Sequence, residues 1–223
     1  MKAIPILDMI DTQNNLNELT IPQWQYRLNI DDYTMALASE FDELMGSGRK
    51  WAWWKAPKTI NEWNEKIEVI DILHFFLSKM ILDNSYRNID GSFGDAMVIY
   101  DTPENDTFEN LVNTEGHFNN TGMMDVSRLL QSSSSGWDEI SGMNWVIKSF
   151  GMNGIDVAII YTMKATLNQI RQERGYSKGE YKARIGGIED NEFLQSIYNE
   201  VIADPDAFDT SDVREKVLSF FAE

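Results

Sequence analysis

Two pairs of acidic residues carry the clearest chemical signal in the chain: Glu40 with Glu43, and Glu68 with Asp71. Each pair is spaced i, i+3, which on a helix sets both side chains on one face, one above the other. Two such helices packed antiparallel would aim four carboxylates at one point. Carboxylates gathered in one cleft repel and raise each other's pKa values unless cations neutralise them. Hard oxygen donors select Mg²⁺, with Mn²⁺ able to take its place. A Mg²⁺ cluster of this kind usually also binds a substrate phosphate. The spacing therefore predicts a Mg²⁺-dependent enzyme acting on a polyphosphate. One E-x-x-E by itself is most simply a solvated face of an acidic protein. Two pairs on consecutive helices, each beside an apolar stripe, are a stronger pattern.

Other polar and aromatic residues fall where such a site could use them. Lys50-Trp51-Ala52-Trp53-Trp54-Lys55 lies between the acidic pairs. Its tryptophans cap a core, form a subunit contact, or offer a stacking surface for a base. His74 follows Asp71 by one turn; by default it is a hydrogen-bonded core histidine, and its place makes it a candidate wall of the site. Lys164, Asn168 and Arg171 stand at i, i+4 and i+7, a polar stripe that either faces solvent or clamps phosphate, for which the planar arginine fork is suited. A basic, glycine-bearing loop, Tyr176 to Lys182, comes next. Near the start, Gln13 and Asn17 share a face at i, i+4.

Helices must position all of these. Apolar spacing predicts a first helix over about Ile6 to Leu19, through Ile6, Met9, Ile10, Leu16 and Leu19. Pro22 and Trp24 mark a connection. A second helix runs from near Asp32 to Met45, with Ala38, Phe41 and Met45 as its buried stripe and Leu37 and Leu44 beside them. Gly46-Ser47-Gly48 ends it. Thr59-Ile60-Asn61-Glu62 reads as a capping box that opens a third helix. Its apolar stripe is Ile60, Trp63, Ile67, Ile70, Leu73, Leu77 and Ile81. Residues 84–137, rich in Gly, Asn, Asp and Ser, break the pattern and read as an irregular insertion. Helical spacing returns over Ile140 to Phe150 and pauses at Gly151 to Gly154. It resumes over Ile155 to Arg174, with Ile155, Ile159, Met163, Leu167 and Ile170 buried and Gly175 as the stop. Two more helices are expected over Asp190 to Ile202 and Ser211 to Phe221. The expected architecture is all-α, a helical bundle in one domain over 1–223 with an insertion at about 84–137.

Bulk properties narrow the function. A net charge of −17 over 223 residues argues against a nucleic-acid or anionic-membrane binder. There are no cysteines, which excludes disulfides, zinc–thiolate sites and a thiol nucleophile. No apolar run approaches the roughly 18 residues needed to span a bilayer. A soluble cytoplasmic protein is expected, with no nucleic-acid or membrane partner.

Taken together, the motifs resemble the dimeric, all-α dUTPases of the nucleoside triphosphate pyrophosphatase superfamily, found in bacteria, phages and kinetoplastids. The resemblance runs through Gln13-x-x-Leu16-Asn17, Glu40-x-x-Glu43, Trp51-Ala52-Trp53-Trp54-Lys55 and Glu68-x-x-Asp71-x-x-His74-Phe75. It continues in Lys164-x-x-x-Asn168-x-x-Arg171, Gly175-Tyr176-Ser177-Lys178-Gly179 with Tyr181-Lys182, and Glu189-Asp190-Asn191. The segment 84–137 departs from the pattern. The resemblance implies hydrolysis of dUTP to dUMP and pyrophosphate in a homodimer, in the cytoplasm, or a host's cytoplasm for a phage-encoded chain. Glu40, Glu43, Glu68 and Asp71 would hold two or more Mg²⁺ ions, and Glu40 would act as general base toward a metal-activated water. Gln13, Asn17, Trp51, His74 and Asn168 would bind base and sugar. Lys55, Lys164, Arg171, Lys178, Tyr181 and Lys182 would bind the phosphates. A dCTP or dual dCTP/dUTP enzyme of the same fold is the first rival. A non-enzymatic acidic helical protein with a basic partner is the second.

Overall fold

Apolar residues on nearly every face of one helix make it the centre of the molecule. In the computed structural model, which describes residues 6–48, 54, 61–83, 143, 146–204 and 209–221, that helix spans Glu62–Leu82. It is the fourth in chain order, after α1 (Ile6–Thr20), the short α2 (Trp24–Arg27) and α3 (Ile30–Gly48). Beyond α4 come α5 (Gly154–Glu173), a 3₁₀ turn at Tyr176–Lys178, α6 (Asp190–Ala203) and α7 (Thr210–Ser219). Helix α4 packs against α1, α3 and α5, while α6 and α7 cover the far side of α5. A helix apolar all round has to be buried this way. The described fold is all-α. No helix among the described residues is long and apolar enough to cross a membrane.

Several local expectations need correcting. Helix α4 begins at Glu62, capped by Asn61, whose side chain accepts the Asn64 N–H at 3.2 Å. The start therefore lies two residues beyond the box read from Thr59, because the Asn61 amide is an equally good cap. Thr59 and Ile60, like the 84–137 segment, lie outside the described residues. Trp24 is not a bare connection: it sits in α2, 1 % exposed, packed edge-on against Tyr33 at 5.7 Å. With Tyr33, Ile81 and Leu82 it forms a small second core. Leu19 is 45 % exposed, on an open groove between α1, α5 and α7.

The correction in α3 bears on function. Its buried residues are Tyr33, Leu37 and Leu44, whereas Ala38, Phe41 and Met45 are half-buried. The buried stripe runs 33, 37, 44, and the half-buried Glu40 stands in line with it between Leu37 and Leu44. A search for apolar residues alone steps around that acid and rotates the face by one residue. Helix α4 repeats the device: Glu68, Asp71, His74 and Ser78 follow one another at three- and four-residue steps, so one polar line runs along a helix otherwise buried in apolar contacts.

Helix α5 starts with a capping box, Asn153 with Asp156, after Gly151 at φ +69°. Ile155 is only half-buried, at the helix's first turn. Gly175, at φ +81°, closes the helix, and a Cβ there would meet Glu180 Oε2 at 2.6 Å. A two-residue hairpin not foreseen from sequence follows, pairing Arg184–Ile185 with Ile188–Glu189 through Gly186-Gly187. Both glycines have positive φ, as a tight antiparallel turn requires. The hairpin delivers Asp190 to the head of α6.

Candidate active site

Helices α1, α3, α4 and α5 surround a cavity of about 430 Å³. At one end the ligand-forming atoms of Glu40, Glu68 and Asp71 lie within 4.8 Å of one another. Burial, then the charges of Asp71, Glu43 and Glu68, push Glu40 up to about 7. Burial, then Asp71 and Glu43, do the same to Glu68, although Asn64 donates to its Oε1 at 3.1 Å. Glu43 is exposed and outside the close trio, so it acts on the cluster through its charge. Lys164, 1 % exposed, reaches Asp71 Oδ2 at 3.0 Å and lowers both glutamates. One ammonium does not balance this much negative charge. An all-oxygen cluster in which burial and neighbouring charge raise Glu40 and Glu68 suits a hard divalent cation.

A second wall of the cavity carries a closed polar network. Gln13 Nε2 donates to Asn17 Oδ1 at 2.8 Å and to Ser78 Oγ at 3.0 Å, and Asn17 Nδ2 donates to Ser78 Oγ at 2.9 Å. Ser78 donates to the His74 carbonyl at 2.9 Å. His74 Nδ1 meets Gln13 Oε1 at 2.5 Å, and its ring stacks on Tyr161 at 4.6 Å. Burial, more than the opposing charge of Asp71, holds the His74 pKa down to about 4, so the imidazole is neutral. Burial likewise raises Tyr33 to about 12.

A third wall is held from behind. Arg171 forks onto Asp190, Nε to Oδ2 at 3.0 Å and Nη2 to Oδ1 at 2.9 Å, and reaches Asn168 Oδ1 at 3.3 Å. Burial would lower Arg171, but the Asp190 hydrogen bonds and charge outweigh it and raise its pKa. Burial pulls Asp190 the other way, and Arg171 prevails there too, holding the carboxyl below its ordinary value.

A family model described as dUTPase matches residues 5–176. The chain belongs to the dUTPase family. No curated protein matches it. The enzyme is a dUTP diphosphatase of the all-α type, acting on a deoxyuridine nucleotide with a divalent metal, and the matched span holds every lining residue of the cavity.

In this dUTPase the expected site residues divide into three groups. Gln13, Asn17, Glu40, Asp71, His74, Lys164, Asn168 and Arg171 all line the one cavity, and Glu68 joins it through the carboxylate trio. Lys178 and Lys182 are exposed beyond the lining; Tyr181 donates to Asp190 Oδ2 at 2.7 Å and so braces Arg171. Trp51 and Lys55 lie outside the described residues. Sequence reading gave no role to Ser78, nor to Trp24 and Tyr33 as walls. Asp190 was one letter of a motif, and its task of holding Arg171 was invisible without the fold. The available hint for Ser78 was its place one turn past His74 in an apolar helix.

Asp190→Ala should destabilise the dUTPase by about 3–5 kcal/mol, since it leaves a largely buried guanidinium without its carboxylate. Urea unfolding measures this directly. A loss below about 1 kcal/mol, the range of an exposed pair, would contradict the bracing role.

Proposed function

We propose that this dUTPase converts dUTP to dUMP and pyrophosphate at the Glu40, Glu68 and Asp71 cluster, with Mg²⁺ as its ion. The supporting observation is that one cavity joins this carboxylate trio to an amide-rich wall at Gln13 and Asn17 and to the cations Lys164 and Arg171. Glu40, Glu43, Glu68 and Asp71 would hold the metal, two or more ions, with Mn²⁺ as a substitute. Such an ion neutralises the phosphate chain and lowers the pKa of a water molecule. Glu40 takes the attacking water's proton; it is half-buried, and its carboxylate lies beside those of Glu68 and Asp71 on α4. Lys164 and Arg171 stabilise the charge that grows on the leaving pyrophosphate, and Lys55, Lys178, Tyr181 and Lys182 complete the phosphate side. Gln13, Asn17, Trp51, His74 and Asn168 hold base and sugar. Asn168 is kept in place by Arg171.

The assembly proposed is a homodimer, with the cytoplasm, or a phage host's cytoplasm, as its location. Sedimentation at micromolar concentration should show a dimer, and a monomer alone would contradict it. For specificity, dUTP should have the highest kcat/KM of dUTP, dCTP and dTTP. A dCTP activity is the second reading, because amide side chains can serve either base edge. The methyl group of dTTP should meet the pocket wall and make it poor. Efficient dTTP hydrolysis, or none of dUTP, would overturn this account of the pocket.

A further inference from the structure

We infer that Ser78 is a positioning residue that fixes the donor and acceptor polarity of the base pocket, and through it the preference for uracil over cytosine. The inference rests on the placement of the base against Gln13 and Asn17 proposed above.

A primary amide can turn over, exchanging its oxygen and nitrogen, unless its neighbours forbid it. Here four combinations exist for Gln13 and Asn17. As found, Gln13 Nε2 donates to Asn17 Oδ1, and both amide nitrogens donate to Ser78 Oγ. Turning Gln13 alone would set oxygen against oxygen at the 2.8 Å Gln13–Asn17 contact, and turning Asn17 alone would set nitrogen against nitrogen. Turning both restores that contact but points two carbonyl oxygens at Ser78. A hydroxyl has one hydrogen, so it cannot serve both. In the arrangement found, that hydrogen is already given to the His74 carbonyl. Ser78 is fully buried, so no water takes up the difference.

The setting propagates to the imidazole. Gln13 presents oxygen to His74, so Nδ1 must carry the hydrogen of the neutral ring, and Nε2 must be bare. Nε2 is buried and has no hydrogen-bond partner among the described residues. Stacking on Tyr161, itself anchored by its hydroxyl to the Met9 carbonyl at 2.7 Å, holds the ring in its plane. The whole set therefore has one stable polarity and one inverted alternative, and Ser78 is what penalises the inversion. Uracil and cytosine differ in the same sense: N3 carries a hydrogen in uracil and a bare lone pair in cytosine, and the group at C4 changes from acceptor to donor. A wall locked in one polarity rejects the base of the other, because buried polar groups would face like partners.

Ser78→Ala removes the hydroxyl while keeping a good helix former, so both polarities become accessible. Two readouts test this. The chain has two histidines, so a His117→Gln background leaves His74 alone for ¹⁵N NMR of the imidazole. The Ser78-containing protein should show the Nδ1–H tautomer with a bare Nε2, and Ser78→Ala should show a mixture. The ratio of kcat/KM for dUTP over dCTP should fall by about tenfold or more in Ser78→Ala, chiefly because dCTP improves. An Nε2–H tautomer with Ser78 present, or an unchanged tautomer and ratio in Ser78→Ala, would overturn the inference. Asn17→Ala separates the two readings: an unchanged KM for dUTP there would overturn the base placement itself. A raised KM in Asn17→Ala together with an unchanged ratio in Ser78→Ala would overturn the lock alone.

Discussion

Glu40→Gln should lower dUTP hydrolysis by about 10²-fold or more while the nucleotide still binds. The substitution keeps the side chain's shape and its place in the Tyr33, Leu37, Leu44 stripe of α3, but the amide cannot take a proton. Glu40 suits the part of general base because it lies at the acidic end of the cavity and titrates near neutrality, at about 7, mainly through burial. A bound cation would lower that value and leave the carboxylate ionised at neutral pH. Nucleotide binding, followed by calorimetry, should persist because the base and phosphate walls are untouched. Hydrolysis at the parent rate would assign the base to another group.

Glu68→Gln and Asp71→Asn should each nearly abolish turnover, yet move stability in opposite directions. Glu43→Gln, which removes the remaining expected ligand, should also weaken Mg²⁺ binding and turnover. In the metal-free protein Glu68 is raised by burial and by its neighbours' charges. With Glu40 and Glu68 both at about 7, the folded chain holds more protons than the unfolded one between the ordinary carboxyl value and pH 7. Metal-free stability therefore falls as pH rises through that window. Neutralising Glu68 removes part of the repulsion, so the metal-free Tm at pH 8 should rise. Asp71 is different because it is the 3.0 Å partner of the buried Lys164. Asp71→Asn weakens the pairing of that ammonium, so its Tm should fall despite the lost negative charge. Thermal unfolding of both variants at pH 8 without metal checks this. Equal shifts of the same sign would contradict the role given to Lys164. The same proton competition should make Mg²⁺ bind more tightly at pH 8 than at pH 6.

Much of the fold could be read in advance because long amphipathic helices repeat their signal many times. The stripe from Trp63 to Ile81 and the one from Ile159 to Ile170 each bury as their spacing implies. The carboxylate pairs were legible for the same reason: i, i+3 spacing survives any error of a residue or two at a helix end. What stayed hidden depends on partners distant in sequence. Ser78 gains its meaning from Gln13, 65 residues away. Asp190 gains its meaning from Arg171 across a hairpin whose two-residue strands are too short to leave a periodic pattern. Glu40 misled the face assignment of α3 because a half-buried acid in line with Tyr33, Leu37 and Leu44 breaks the rule used to find an apolar stripe.

The central claim is that a divalent ion held by these carboxylates drives cleavage of dUTP between its first and second phosphates. The most direct test incubates the purified protein with dUTP and Mg²⁺, or with dUTP and EDTA, and separates the products by ion-exchange chromatography. The account predicts dUMP and pyrophosphate in equal amounts with Mg²⁺ and neither with EDTA. Release of dUDP and inorganic phosphate, or equal turnover in EDTA, would contradict it.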